Sequence, residues 1–287
     1  MRVAIIGANG QVGSDMSEAF VLAGNEVTRL THEDLEISNR ESVRNALSAK
    51  YDVIINTACL HTVACENDPG KAYLINAVGA RNVAEVAAKM DALLIHISTD
   101  QVFDGKQDRP YVETDAPNPV MVYASTKLAG EQFVLNSGAR CQILRTTALF
   151  GHNPTRGKPG GLNFVQLMLK LAKEKGIVKV VADEFTTPTS TRSLAKQALL
   201  LSKSVHYGIF HAVGLGSCSW YDLAKETFEQ TGTAVQLEVS PPNFSGFVRP
   251  KHLTMENRRL LDLGLNIFKP WREELRGYLE ERKCLPH

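Results

Sequence analysis

Tyr123 and Lys127 stand four residues apart in Tyr123-Ala124-Ser125-Thr126-Lys127, where the sequence predicts a helix over 122–136. Residues at that spacing share one helix face, so a phenol is set beside an ammonium. A free phenol, with a pKa of about 10, is a poor acid or base at neutral pH. A cation about 4–5 Å away, at an effective dielectric of about 20, favours phenolate by roughly 3–4 kcal/mol, or about 2–3 pKa units. The pair therefore predicts a tyrosine whose pKa is drawn down toward the range where it can move a proton. Alone, the spacing is a weak signal that arises by chance and fits a solvated helix face better, and the rest of the chain has to decide.

A second group lies at the start of the chain. The apolar run Val3-Ala4-Ile5-Ile6 leads into Gly7-Ala8-Asn9-Gly10-Gln11-Val12-Gly13, and a helical pattern follows over 14–23. Glycines at this spacing, between a strand and a helix, permit a tight turn, close approach of backbone to a diphosphate, and close helix–strand packing. The helix amino terminus then offers free N–H groups to phosphate. At the end of the second strand pattern stands Arg29, with no acid before Glu33. An acid there would select a ribose diol; a guanidinium suits a 2′-phosphate. The expected cofactor is NADP(H), with NAD(H) as a usable second.

These groups need a scaffold. Strand-like and helix-like patterns alternate: strands over 2–6, 26–30, 53–56, 93–98 and 141–145, and helices over 14–23, 40–49, 70–90 and 122–136. That rhythm predicts a parallel sheet with helices on both faces, and such sheets bind ligands beyond the carboxyl ends of their strands. Gly7, Arg29, Asn56-Thr57-Ala58, Ser98-Thr99-Asp100 and Thr146-Thr147 all fall at those ends. Residues 151–161 read as a Gly/Pro-rich loop. Beyond it the order is mixed, with helices over 163–175, 193–203, 220–231 and 270–282 and strands over 178–182 and 208–213. The fold class is α/β: a doubly wound parallel sheet with a smaller mixed α/β substrate lobe. Residues 1–151 with about 186–213 would form the dinucleotide-binding unit, and about 152–185 with 214–287 the lobe.

The 287 residues carry a net charge of +1 with 22% charged side chains, which gives no bulk attraction to nucleic acid or anionic membrane. The cysteines (Cys59, Cys65, Cys141, Cys218, Cys284) are odd in number and form no CxxC pair, so free thiols in a reducing compartment are expected. The first residues read as a strand without a basic leader, and no apolar run approaches about 20 residues. A soluble cytoplasmic protein is expected, with no metal; a homodimer is compatible with the pattern. His96, inside a strand, reads as a core histidine. His61 reads equally as a loop histidine and as a sugar contact.

Taken jointly, the glycine segment, Ser98-Thr99-Asp100-Gln101-Val102-Phe103-Asp104-Gly105 and Tyr123-Ala124-Ser125-Thr126-Lys127-Leu128-Ala129-Gly130-Glu131 resemble the extended short-chain dehydrogenase/reductases. More narrowly, they resemble the dTDP-4-dehydrorhamnose reductase branch, with its GQxG loop, STDYVFDG segment and YGxTKLxGE helix. The likeness continues through Leu144-Arg145-Thr146, Asn163-Phe164-Val165, Asp183-Glu184, Thr187-Pro188-Thr189 and Arg249-Pro250, nearly the whole chain. It implies a Rossmann domain with a nucleotide-sugar lobe and an NAD(P)H-dependent reduction of a 4-keto group on a nucleotide-linked deoxysugar. Thr99, Tyr123 and Lys127 would then be catalytic. Gly7, Gly10, Gln11, Val12, Gly13, Arg29, Glu36, Ile37, Ala58, Tyr123 and Lys127 would hold the cofactor. Ser98, Thr99, Asp100, Gln101, Thr147, Ala148, Asn163 and Arg249 would face the substrate.

The chain departs from the branch around the sugar. Gln101 replaces a common Tyr, Ala148 a common Trp, and His61-Thr62-Val63-Ala64-Cys65-Glu66 stands at a common VDxxE segment. Loss of two rings implies a roomier, more polar pocket. Two other readings compete. One is a cofactor-binding regulatory subunit like the beta subunit of methionine adenosyltransferase. The other is a sugar epimerase or dehydratase, disfavoured because no Glu follows Asp100.

Overall fold

The computed structural model describes residues 1–241 and 250–282. Five strands, β1 (Arg2–Ile6), β2 (Glu26–Leu30), β3 (Val53–Asn56), β4 (Leu93–Thr99) and β5 (Cys141–Thr146), join the strand Gly208–His211 in one all-parallel sheet. Across the sheet the order is Gly208–His211, β5, β4, β3, β1, β2. The central strands β3 and β5 are buried along their whole length, as expected where both faces are covered; β2, at the edge, is half exposed.

Period-two alternation sends neighbouring residues to opposite faces. Ala4, Ile6, Ile54, Leu94 and Ile143 pack with Val43, Val83, Ala84, Ala87 and Val134. These belong to α2 (Arg40–Ala46), α5 (Gly79–Met90) and α6 (Val122–Leu135). Val3, Ile5, Ile55, Ile95 and Leu144 face the other way, onto Met16 and Phe20 of α1 (Gln11–Leu22) and onto the helix Thr191–Leu201. Winding reverses between β1 and β3, which opens a crevice above their carboxyl ends.

The helix expected over 70–90 runs from α4 (Pro69–Ala72) through a π-helical stretch, Tyr73–Val78, into α5. The expected strands over 178–182 and 208–213 are Ile177–Val180 and Gly208–His211. Elements that patterning missed are α3 (Thr62–Asn67), the helix Arg258–Asp262, the strand Gln236–Val239 parallel to Ile177–Val180, and two-residue strands such as Phe185–Thr186. All are too short to show a period. Away from the sheet, the helices Phe164–Lys175 and Trp220–Thr231 enclose Met168, Val178, Val180, Ala224 and Phe228. Leu260 and Phe268, late in the chain, pack into the sheet's own core. Among the described residues no helix is long and apolar enough to cross a membrane.

Candidate active site

The glycine turn is built as its spacing demands. Gly7 has φ +78°, and a Cβ there would stand 2.7 Å from Thr57 Oγ1. A Cβ on Gly13 would stand 2.2 Å from the Gly7 carbonyl oxygen, so the helix can approach the strand only with glycine. Gly10 differs: its Cβ would meet nothing nearer than the Gly7 carbonyl at 3.3 Å, which leaves room above the turn. Gly10 is also the N-cap of α1 and lends no side chain to the first N–H groups. That combination fits a diphosphate. Gln11 is buried beside it, Val12 is half-buried, and Ala58 is held by its N–H to Asn56 Oδ1 (3.1 Å). Arg29 is exposed at the end of β2, whose Leu30 carbonyl accepts from Gly7 N–H (2.8 Å). Glu36 is exposed and bonded to Ser38, which holds its carboxyl below the usual range. Ile37 is buried and packs beneath Gly79.

Tyr123 lies in the first turn of α6 and Thr99 at the end of β4, beside it. Lys127 is 2% exposed; its ammonium donates to the Ile97 carbonyl (2.6 Å) and lies 3.5 Å from His96 Nε2. His96 Nδ1 in turn meets the Asn56 amide at 3.2 Å. The expected direction of the tyrosine's pKa is reversed. Burial pushes the Tyr123 phenol well above its ordinary value, Cys59 adds to this, and the hydrogen bond with Thr99 opposes it. The reason is physical: removing a phenolate from water is costly, and the cation four residues on is engaged by the Ile97 carbonyl. Burial likewise lowers Lys127, against Cys59 and Glu131. His96 is pushed far below its usual range by burial and by Lys127, so it is neutral. The spacing sets phenol and ammonium on one face of α6; it does not report their desolvation.

Behind Thr99 runs a chain of hydroxyls. Thr99 donates to Asp100 Oδ1 (2.9 Å), Thr147 donates to Asp100 Oδ2 (2.5 Å), and Thr147 meets Thr186 at 3.1 Å. Burial raises the Asp100 pKa to about 6. Asp100 is thus a buried anchor for two hydroxyls. Ser98 turns away, donating to Glu131 Oε1 (2.5 Å), and Glu131 pairs with Arg145 at 2.6 Å, all three buried. Gln101 is half-buried and its Oε1 has no hydrogen-bond partner among the described residues. Ala148, at φ +43°, is half-buried. Asn163 is occupied elsewhere: it caps the helix Phe164–Lys175 and donates to the Gly151 carbonyl (2.8 Å) and the Tyr278 hydroxyl (3.2 Å). Arg249 lies outside the described residues. Asp183 is paired with Lys251 at 2.7 Å.

Several site residues were not singled out for the roles they hold. Glu66 Oε1 accepts from the Tyr123 N–H (3.1 Å) and holds the start of α6. Asn76, in the π-helical stretch, binds both Leu60 N–H (2.7 Å) and Thr126 Oγ1 (3.0 Å). His96 had the signal of a core residue and is one, but its ring also touches Lys127.

The family model for the RmlD substrate binding domain matches residues 1–284. The chain belongs to this family. A curated relative, the spore coat polysaccharide biosynthesis protein SpsK of Bacillus subtilis, is 36% identical over 286 residues, covering 98% of each chain. A dTDP-4-dehydrorhamnose reductase of Bacillus anthracis, solved in complex with NADP, matches this RmlD-family chain at TM-score 0.91 and 33% identity, covering 98% of this chain and 99% of the other. The dTDP-4-dehydrorhamnose reductase of Clostridium acetobutylicum matches at TM-score 0.90 and 36% identity, covering 99% and 100%. The RmlD-family chain is accordingly an oxidoreductase of the extended short-chain dehydrogenase/reductase class.

Proposed function

We propose that the protein reduces the 4-keto group of a nucleotide-linked deoxysugar with NADPH. The observation that carries the reading is the convergence of Thr99, Tyr123 and Lys127 at the carboxyl end of the parallel sheet that also bears the glycine turn. Relatives named as dTDP-4-dehydrorhamnose and dTDP-4-keto-6-deoxy-D-glucose reductases support it, as does the NADP-bound B. anthracis structure.

The dihydronicotinamide, when bound, supplies two electrons and one hydrogen to the ketone carbon. Tyr123 donates its proton to the ketone oxygen as that oxygen becomes anionic. A phenol kept protonated by burial suits this role, because it is loaded at neutral pH. Thr99 turns its hydroxyl from Asp100 to the developing oxyanion. Lys127 holds one positive charge at the floor of the site and favours the phenolate left after transfer. Gln101, with a free amide oxygen, favours a sugar bearing a hydroxyl donor there.

The division into a cofactor unit (1–151 with about 186–213) and a sugar-nucleotide lobe (about 152–185 with 214–287) belongs to this reading. An apolar cluster held within the lobe, Met168, Ala172, Val178, Val180, Ala224 and Phe228, supports it, while Leu260 and Phe268 pack with the sheet. A cytoplasmic location belongs to it too, supported by four free thiols among the described residues: Cys59, Cys65, Cys141 and Cys218. The test is incubation of the purified protein with NADPH and a panel of nucleotide-linked 4-ketosugars, with products identified by NMR. Ketone-dependent oxidation of NADPH to a 4-hydroxy sugar is expected. No oxidation with any member would overturn the reading.

A further inference from the structure

The loop between the strand Leu149–Phe150 and the helix Phe164–Lys175 is tied at its base and laid across the glycine turn. Asn163, buried, donates to the Gly151 carbonyl at 2.8 Å, so the two ends meet. Within the loop, Thr155 N–H bonds the Gly161 carbonyl (2.8 Å), and Lys158 N–H bonds the Thr155 carbonyl (3.0 Å). Gly160 and Gly161, at φ +70° and +67°, let the chain double back. This is the form of an Ω-loop, self-bonded and close-ended.

Its outer arc rests on cofactor-binding elements. Asn153 donates to Asp15 Oδ1 of α1 (2.7 Å), Thr155 Oγ1 to Gln11 Oε1 (3.1 Å), and Arg156 Nε to the Asn9 carbonyl (2.9 Å). Gly157 lies against the His61 ring so closely that a Cβ would stand 1.6 Å from Cδ2. Two of these contacts leave donors unspent. Gln11 is 7% exposed, and with its oxygen held by Thr155 its Nε2 has no hydrogen-bond partner among the described residues. Arg156 is anchored through Nε alone; its two terminal nitrogens carry no hydrogen bond among the described residues. An amide NH₂ and a guanidinium edge thus stand at the turn where Gly10 leaves room. A guanidinium matches the geometry of phosphate oxygens.

We propose that residues 153–158 form a strap over the cofactor diphosphate, with Arg156 as its cation and Thr155 as the residue that aims the Gln11 amide. The inference rests on the NADPH reading above. A nucleotide sugar also carries a diphosphate, but Asn9 lies in the turn after β1 and Gln11 opens α1, so the occupant is the dinucleotide.

NADPH, NADH and dTDP are each titrated calorimetrically into wild type, Arg156→Ala and Gly157→Ala, with circular dichroism checking the fold. Arg156→Ala should weaken NADPH and NADH equally, by roughly 10–100-fold, since both carry the diphosphate. Binding of dTDP should not change. Gly157→Ala, whose methyl cannot sit over His61, should lift the strap and weaken both dinucleotides. A wild type that binds neither dinucleotide overturns the cofactor reading itself. Tight wild-type binding with Arg156→Ala unaffected, or a loss confined to dTDP, overturns the strap.

Discussion

At the residue scale the site is a matter of which protons are held where. Burial keeps Tyr123 protonated, so the residue serves as a donor. Tyr123→Phe retains the ring and removes the proton. It should cut kcat by roughly 10²–10⁴-fold while NADPH still binds; wild-type turnover in that variant would exclude the phenol as the acid. Arg29 acts on a different question. It is exposed at the edge where a 2′-phosphate would lie, so Arg29→Ala should weaken NADPH by roughly 10-fold and leave NADH unchanged. Equal losses in titrations of the two would show that it does not read the phosphate. Asp100 carries a pH dependence. Its carboxyl rises from 3.8 to about 6 on folding because burial opposes the charge. An acid raised on folding costs stability when ionised. The cost is full above pH 6, shrinks as pH falls through 6, and is gone below 3.8. It is on the order of 3 kcal/mol. Asp100→Asn should therefore raise Tm relative to wild type more at about pH 8 than at about pH 5, and a pH-independent difference in melting scans would contradict this.

At the element scale, α6 must be seated correctly for Tyr123 and Lys127 to reach β4. Gly130 provides the seat: a Cβ there would stand 2.5 Å from the Asn76 carbonyl in the π-helical stretch Tyr73–Val78. That stretch is where the helix widens, and widened turns often serve functional sites. Here it aims Asn76 at the loop carrying Leu60 and at Thr126 of α6. Gly130→Ala should push the helices apart and cost about 1–3 kcal/mol in denaturant unfolding. It should also depress kcat, because α6 carries Tyr123 and Lys127. Unchanged stability would mean that the contact yields freely.

At the scale of the whole molecule, one buried ion pair links three elements under the site. Glu131 of α6 accepts from Arg145 of β5 and from Ser98 of β4, and the Arg145 guanidinium lies 5.1 Å from the Phe103 ring centre. Leaving one charge of such a pair unpaired costs about 3–5 kcal/mol. Glu131→Ala should therefore be strongly destabilising, and adding Arg145→Met should restore much of the loss. A double variant as unstable as the sum of the two single changes would show that the pair is not coupled.

Much of this was legible in the residues alone. The glycine spacing and the Tyr–Lys interval define the turn and the face shared by phenol and ammonium, because each depends on neighbours within a few residues. The alternation of strand and helix patterns along the chain implies the parallel sheet through the crossovers it requires. Thr62–Asn67 and Gln236–Val239 escaped because short elements carry too few residues to reveal a period. Asn163 looked like a ligand contact and is a cap, since its partners Gly151 and Tyr278 are brought to it only by folding. The direction of the Tyr123 pKa, the neutrality of His96 and the fit of Gly157 against His61 were likewise decided by the tertiary structure. Each depends on how much water the fold removes, or on which distant segment it lays against the site, and neither quantity is a property of local sequence.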